Sequence, residues 1–186
     1  MSTKKLQISI ENVVASATLD QKIDLLSIMK VFRNVEYRPK QFPGLVFRLK
    51  RPKTATLIFG SGKMVCTGAK SEKQARGAVK KVVRELKNNG IIILGKPEIV
   101  IQNIVASANL WGKIDLEKAA NIMDNVMYEP EQFPGLIYRM GEPKVVMLLF
   151  ASGKLVCTGA KHEKMVIEAV EKLHDILEEK ELIYYE

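Results

Sequence analysis

The residues first suspected of chemistry are two cysteines, Cys66 and Cys157, and two histidines, His162 and His174. Neither cysteine has a Cys-x-x-Cys neighbour, and two histidines leave a zinc site short of ligands, so the thiols read as reduced and buried. Gly62-Lys63 lacks the spacing and the following Ser/Thr of a phosphate-binding loop. No nucleophile elbow or dinucleotide fingerprint is present either. The expectation is therefore no enzyme, no cofactor and no metal. The side chains left are those of noncovalent recognition, and they come in matched pairs 91 residues apart: Asn12 and Asn103, Thr67 and Thr158, Phe42 and Phe133, Phe59 and Phe150.

Those pairs belong to a repeat. Shifted by 91 residues, the chain falls on itself without a gap, and roughly half the positions from Ile8 to Leu86 are identical. Asn12-Val-Val-Ala-Ser-Ala returns as Asn103-Ile-Val-Ala-Ser-Ala, and Gln41-Phe-Pro-Gly-Leu as Gln132-Phe-Pro-Gly-Leu. Ser61-Gly-Lys-Met-Val-Cys-Thr-Gly-Ala-Lys70 returns from Ser152 to Lys161 with one change. Two copies are too few for a solenoid, so a pseudo-twofold pair is expected, with copies at 1–93 and 94–186.

Within a copy, Leu6 to Val14 reads as a strand, and Asp20 to Arg33 as a helix with Ile23, Leu26, Met29 and Phe32 on its apolar stripe. Leu45 to Lys50, Thr54 to Gly60 and Lys63 to Thr67 read as an antiparallel meander, the last two strands joined at Ser61-Gly62. Ser71 and Gln74 suit the start of a second helix striped by Ala75, Val79, Val82 and Leu86. Ile91 to Leu94 reads as a fifth strand. Two copies give an α+β fold of about ten strands and four helices, the helices on one side of the sheet. Alternation sets Leu57, Phe59, Val65 and Thr67 apart from Thr56, Ile58, Met64 and Cys66, so both faces carry apolar groups. The second face is covered by another layer or a dimer partner, or else it is a binding surface.

The net charge of +8 favours a polyanionic partner without proving one. It is unevenly shared: residues 1–93 hold 19 Lys+Arg against 6 Asp+Glu, hence +13, and the remaining 10 against 15 give −5. No stretch approaches a membrane span and no secretory leader is visible, which points to a soluble, intracellular protein.

From Leu6 to about Leu177 the chain resembles the TATA-binding protein family. The strings from Phe133 to Met140 and from Ser61 to Lys70 carry the resemblance. The start close to the first strand resembles archaeal members. The family implies a saddle with a curved antiparallel sheet, helices on the convex face, and an A·T-rich box of double-stranded DNA held on the concave face through its minor groove. By resemblance, Phe42, Phe59, Phe133 and Phe150 are the wedges that kink the duplex. Asn12, Asn103, Thr67 and Thr158 are the polar groups at the minor-groove edges, where A·T pairs offer only acceptors. Val14, Val105, Leu57, Leu148, Val65 and Val156 are the apolar contacts around them. Arg48, Lys53, Lys63 and Lys70, with Arg139, Lys144, Lys154 and Lys161, occupy equivalent places in the two copies and suit phosphates.

The string Tyr128-Glu-Pro-Glu-Gln-Phe133 matches the loop with which the family binds transcription factor B. This implies contacts from Glu129, Glu131 and Gln132, and RNA polymerase as an indirect partner. Glu129 and Glu131 stand where the first copy has Arg38 and Lys40, a handle for telling one end from the other. The family also implies a cytoplasmic, nucleoid-associated location. A homodimer through the apolar face of the DNA-free protein stays open. So does a different class of function, a scaffold whose apolar face takes a hydrophobic molecule or helix; its binding would depend weakly on salt, whereas DNA binding would fall steeply. Trp111, whose counterpart is Asp20, and the acidic end from Glu178 to Glu186 have no role in this reading.

Overall fold

The computed structural model describes residues 6–186. They form two compact units, one running from Asn12 to Gln102 and the other made of 6–11 with Asn103–Glu186. The first residues of each copy's leading strand thus belong to the other copy's unit.

In the Asn12–Gln102 unit the elements are β1 (Gln7–Thr18, from residue 12 on), α1 (Leu25–Val31), β2 (Val35–Glu36), β3 (Leu45–Lys50), β4 (Lys53–Ile58), β5 (Lys63–Ala69) and α2 (Glu72–Asn88). The strands follow the antiparallel order β2-β3-β4-β5-β1. In the second unit β6 (Glu98–Asn109), β7 (Lys113–Ile114), α3 (Leu116–Ile122), β8 (Val126–Tyr128), β9 (Leu136–Met140), β10 (Val145–Leu149), β11 (Lys154–Ala160), α4 (Glu163–Glu179) and β12 (Ile183–Tyr184) repeat the plan. The order there is β6-β11-β10-β9-β8, with β7 and β12 as a separate pair. The expected ten sheet strands and four helices are therefore present in an α+β fold.

Alternation decides the core. Leu45, Ile58, Met64 and Cys66 are fully buried with Val79, Val82 and Leu86 of α2, which packs on β3, β4 and β5. Burying each large aliphatic side chain contributes about 1.5–3 kcal/mol. The second unit repeats this with Leu136, Met147, Leu149 and Leu155 buried and α4 offering Val166, Val170, Leu173 and Leu177. The three valines of α2, Val79, Val82 and Val83, have poor helix propensity, so packing and capping hold that helix. Ser71 accepts a bond from the Gln74 amide at 2.9 Å, and the Gln74 side chain accepts one from the Lys70 amide at 2.7 Å. Ser71→Ala is expected to lower unfolding free energy by about 1 kcal/mol in urea titration, without changing the m-value.

Three expectations need correction. The first helix is Leu25–Val31, far shorter than Asp20–Arg33, because the Leu19 and Ile23 amides bond to Gly62 and Gly60 carbonyls and tie that stretch to the β4–β5 hairpin. Its buried residues are Leu25 and Ile28, while Leu26 and Met29 are exposed. Ile91 to Leu94 is not a strand. Its backbone bonds instead to the Gln21 side chain, Ile92 O accepting and Leu94 N–H donating at 2.8 Å each. The two-residue β2 takes the fifth place in the sheet.

The end of the chain has a structural role. Ile183 pairs with Ile114 in the β7–β12 ribbon, and the Tyr185 hydroxyl donates to Glu178 at 2.6 Å beside His174 Nε2 at 2.8 Å. Trp111 turns the chain into this ribbon at φ 59°, its amide donating to the Asn109 side chain.

Candidate nucleic-acid interface

In each unit one sheet face is buried under helices and the other is not. On the uncovered face of the Asn12–Gln102 unit, the register lines up Val46, Leu57, Val65 and Ser16 in one row. Arg48, Ala55 and Thr67 form the next. The second unit lines up Ile137, Leu148, Val156 and Ser107, then Arg139, Val146 and Thr158. These side chains, with Val14 and Val105, are half-buried or exposed, while their neighbours in sequence are buried except at Gly68, Tyr138 and Gly159. Sequence reasoning missed Val46, Ala55 and Ser16 with their counterparts. Strict alternation along β3, β4 and β1 was the signal that could have found them.

Phe59 follows the end of β4, and Phe42 arrives from the loop before β3. Their rings meet edge to face, centroids 5.8 Å apart at 65°. Phe133 and Phe150 repeat the pair at 5.9 Å and 68°. The loops are turned by matching bonds, from the Phe42 amide to Arg38 O and from the Phe133 amide to Glu129 O, both 3.0 Å. Gly44 and Gly135 form the floors: a Cβ there would lie 2.6 Å from the Phe42 ring and 2.7 Å from the Phe133 ring. The packing presents Phe42 and Phe133 outward, 43% and 39% exposed. An exposed aromatic pair on a glycine floor is a rigid wedge that demands no hydrogen bonds.

Each unit also carries a small polar constellation on its uncovered face. Asn12 Oδ1 accepts the Gly68 amide at 2.7 Å, and Asn12 Nδ2 donates to Thr67 Oγ1 at 3.1 Å. Asn103 does the same with Gly159 at 2.7 Å and Thr158 at 3.2 Å. The bond to a backbone N–H fixes which end of the amide is oxygen. Gly68 at φ 102° and Gly159 at φ 98° sit at the register shifts of β5 and β11, where a bulge frees that N–H from the ladder. An amide nitrogen has two hydrogens, so each Asn keeps one donor beyond its Thr bond, while each Thr hydroxyl also reaches the same Asn's Oδ1 at 3.4 Å, a long bond that a better acceptor can replace. Both pairs present donors.

The cations stand around these faces. Lys53, Lys63, Lys144 and Lys154 are exposed at strand starts or in the hairpin before β10, and Lys70 and Lys161 follow β5 and β11. Arg48 is paired with Glu36 at 3.1 Å, a half-exposed contact of small strength. Position 127, the counterpart of Glu36, is Met, so Arg139 lacks that carboxylate. Lys154 lines a groove of about 610 Å³ with Gln7, Ser9, Ser107, Asn109, Phe150 and Ser152. Gln7, Ser9 and Asn109 were not expected there. Glu129, Glu131 and Gln132 are all exposed on the turn that carries Phe133.

The model of the family described as transcription factor TFIID, or TATA-binding protein, matches residues 7–89 and again 98–180. The chain belongs to the TATA-binding protein family. It is 58% identical to the TATA-box-binding protein of Sulfolobus acidocaldarius over 94% of this chain and 89% of the relative. It is 52% identical to that of Pyrobaculum aerophilum over 100% of this chain and 94% of the relative. Among solved structures, the Methanococcus jannaschii TATA-binding protein superposes with a TM-score of 0.85 at 50% identity, covering 93% of this chain and 99% of the other. The family is one of transcription factors, not enzymes, and these relatives are archaeal, in keeping with the archaeal resemblance of the sequence.

No helix among the described residues is long and apolar enough to cross a membrane. They contain no cluster of His, Cys, Asp and Glu able to hold a metal ion. Both cysteines are free and buried, and burial pushes the Cys157 thiol up to about 11. The unfolded chain releases that proton first, so the thiol's contribution to stability is intact below the ordinary thiol range and is lost as pH rises toward 11. Thiol reagents at neutral pH are expected to modify Cys66 and Cys157 only in denaturant, as counted by mass spectrometry.

Proposed function

We propose that this TATA-binding-protein family member is a general transcription initiation factor that grips the minor groove of an A·T-rich TATA box. Its two repeats, 1–93 and 94–186, each bring an uncovered sheet face to the DNA. The observation that supports this most directly is the pair of oriented amides. Asn12 with Thr67, and Asn103 with Thr158, present hydrogen-bond donors among apolar side chains. In the minor groove A·T and T·A pairs both present only acceptors, whereas G·C adds an amino donor. Such a surface accepts A·T in either orientation and leaves a guanine amino group buried without a partner, at a cost of about 1–3 kcal/mol.

The Phe42–Phe59 and Phe133–Phe150 wedges kink the duplex where they insert, and the flanking lysines and arginines neutralise phosphates. The bent complex then recruits transcription factor B through Glu129, Glu131 and Gln132, and through it RNA polymerase. This work takes place in the cytoplasm, at the nucleoid.

A gel-shift titration on a TATA duplex and a G·C-substituted duplex over a range of salt tests the reading. Salt-sensitive binding at least tenfold tighter on the A·T duplex is expected; binding indifferent to base composition would sink it. Asn12→Asp with Asn103→Asp sharpens the test. The Gly68 and Gly159 amides keep their acceptors, so the fold is preserved, but carboxylates now face the groove's acceptors and no amide donor remains. Affinity is expected to fall more than a hundredfold, with circular dichroism and melting little changed.

A further inference from the structure

We infer that α2 and α4 form a docking pair between two copies of this chain, the cationic face of α2 on one copy taking the acidic face of α4 on another. The two helices are equivalents in the repeat, yet their outer surfaces carry opposite charge. Helix α2 has six Lys and Arg against two Glu, net +4, and α4 has six Asp and Glu against two Lys, net −4 with His174 neutral. On the solvent side the sign reverses at two equivalent positions, Lys80 against Glu171 and Arg84 against Asp175, while Lys73 keeps its sign as Lys164. Residues three, four and seven apart share a helix face, so Lys73, Lys80, Arg84 and Lys87 form one stripe and Glu168, Glu171 and Asp175 another.

All seven are exposed, and none has an ion pair among the described residues. Other charges on these helices are used internally. Lys81 bonds to Arg51 O, Arg76 to Ile99 O, Lys172 to Glu142 O, and Glu178 to Tyr185. Apart from Lys164 on the first turn of α4, the charges left for a partner are the complementary ones.

A second, independent observation concerns shape. Bordering the cationic stripe is Gly77, in the middle of a 17-residue helix, where an added Cβ would meet nothing within 4 Å. Glycine there weakens the helix by roughly 0.5–1 kcal/mol relative to alanine and serves no packing inside the chain. Bordering the acidic stripe is Ile167, a large apolar side chain left 45% exposed on an otherwise charged surface. A bare notch among cations and an apolar knob among carboxylates are complementary in form as well as in charge. A second copy is the occupant because both halves of the contact are carried by this one chain. The contact is heterologous, so repeated use would line up successive copies.

Sedimentation velocity on the full chain tests this, with Lys80→Glu/Arg84→Glu as one variant and Glu171→Lys/Asp175→Lys as the other. The unaltered chain is expected to self-associate at 50 mM salt and to be monomeric at 500 mM. Each variant alone is expected to weaken association at least tenfold, and an equimolar mixture of the two to restore it. Gly77→Gln is expected to raise the melting temperature while lowering association, a combination that a purely structural glycine does not give. Absence of salt-dependent association in the unaltered chain, or association unchanged in either charge variant, would overturn the proposal. Failure of the mixture to recover would do the same.

Discussion

A chain carrying Phe59→Ala and Phe150→Ala is expected to hold an A·T duplex with a visibly smaller bend and at least a hundredfold lower affinity. Each substitution removes a ring that would replace base stacking, which is worth about 1–3 kcal/mol per base. It also removes the edge-to-face partner of Phe42 or Phe133, at 5.8 and 5.9 Å, so the remaining ring loses its support. Unstacking a base step still costs a few kcal/mol, and with half the wedge gone that cost is no longer met. Fluorescence transfer between dyes at the duplex ends reads the bend, and a gel shift reads the affinity. Gly44→Ala offers a control that keeps every aromatic group. Its Cβ would press on the Phe42 ring from 2.6 Å, so it is expected to reduce bending through misplacement alone. An unchanged bend in the double variant would show that the rings do not insert.

The largest effect on stability is expected from Gly153→Ala. Gly153 has φ 92°, and a Cβ there would lie 2.0 Å from the carbonyl oxygen of Gly112, a backbone atom that cannot swing aside. The left-handed conformation costs a non-glycine residue about 1–2 kcal/mol. The clash adds to this, because relieving it breaks the Leu110 amide bond to Gly153 O and displaces the turn at Trp111. A loss of about 3 kcal/mol or more is expected, which for a domain of this size lowers the melting temperature by about 6–12 °C. Gly90→Ala separates the two contributions. Gly90 also has a positive φ, 87°, but nothing lies within 4 Å of its Cβ position, so only the conformational part, about 1 kcal/mol, is expected. Calorimetry on the two variants gives the difference directly.

Much of this architecture was legible because it is written twice. The coincidence of Asn12, Phe42, Phe59 and Thr67 with Asn103, Phe133, Phe150 and Thr158 singles out the candidate interface from the sequence alone. Alternation assigned the two sheet faces correctly from Leu57, Ile58, Val65 and Cys66. What escaped were features governed by tertiary bonding. The apolar run Ile91-Ile-Ile-Leu94 has the composition of a strand, but its neighbour offers the Gln21 side chain instead of a backbone ladder. Val35–Glu36 is too short to show any period and exists because Val35 and Glu36 pair with Phe47 and Val46. The orientation of the Asn amides was not readable either, since it depends on a bulge that releases the Gly68 and Gly159 N–H groups.

The exchange of strand beginnings between the compact units bears on how such a chain arose. Residues 98–102 complete the unit of the first copy, and 6–11 complete that of the second. A gene half this length would encode a polypeptide whose own leading residues have no place in its own fold and fit only into a twin's. Such a product would need a second copy to complete it, each lending its first few residues to the other, and a chain that carries both copies supplies that partner permanently while leaving the two halves free to differ in charge.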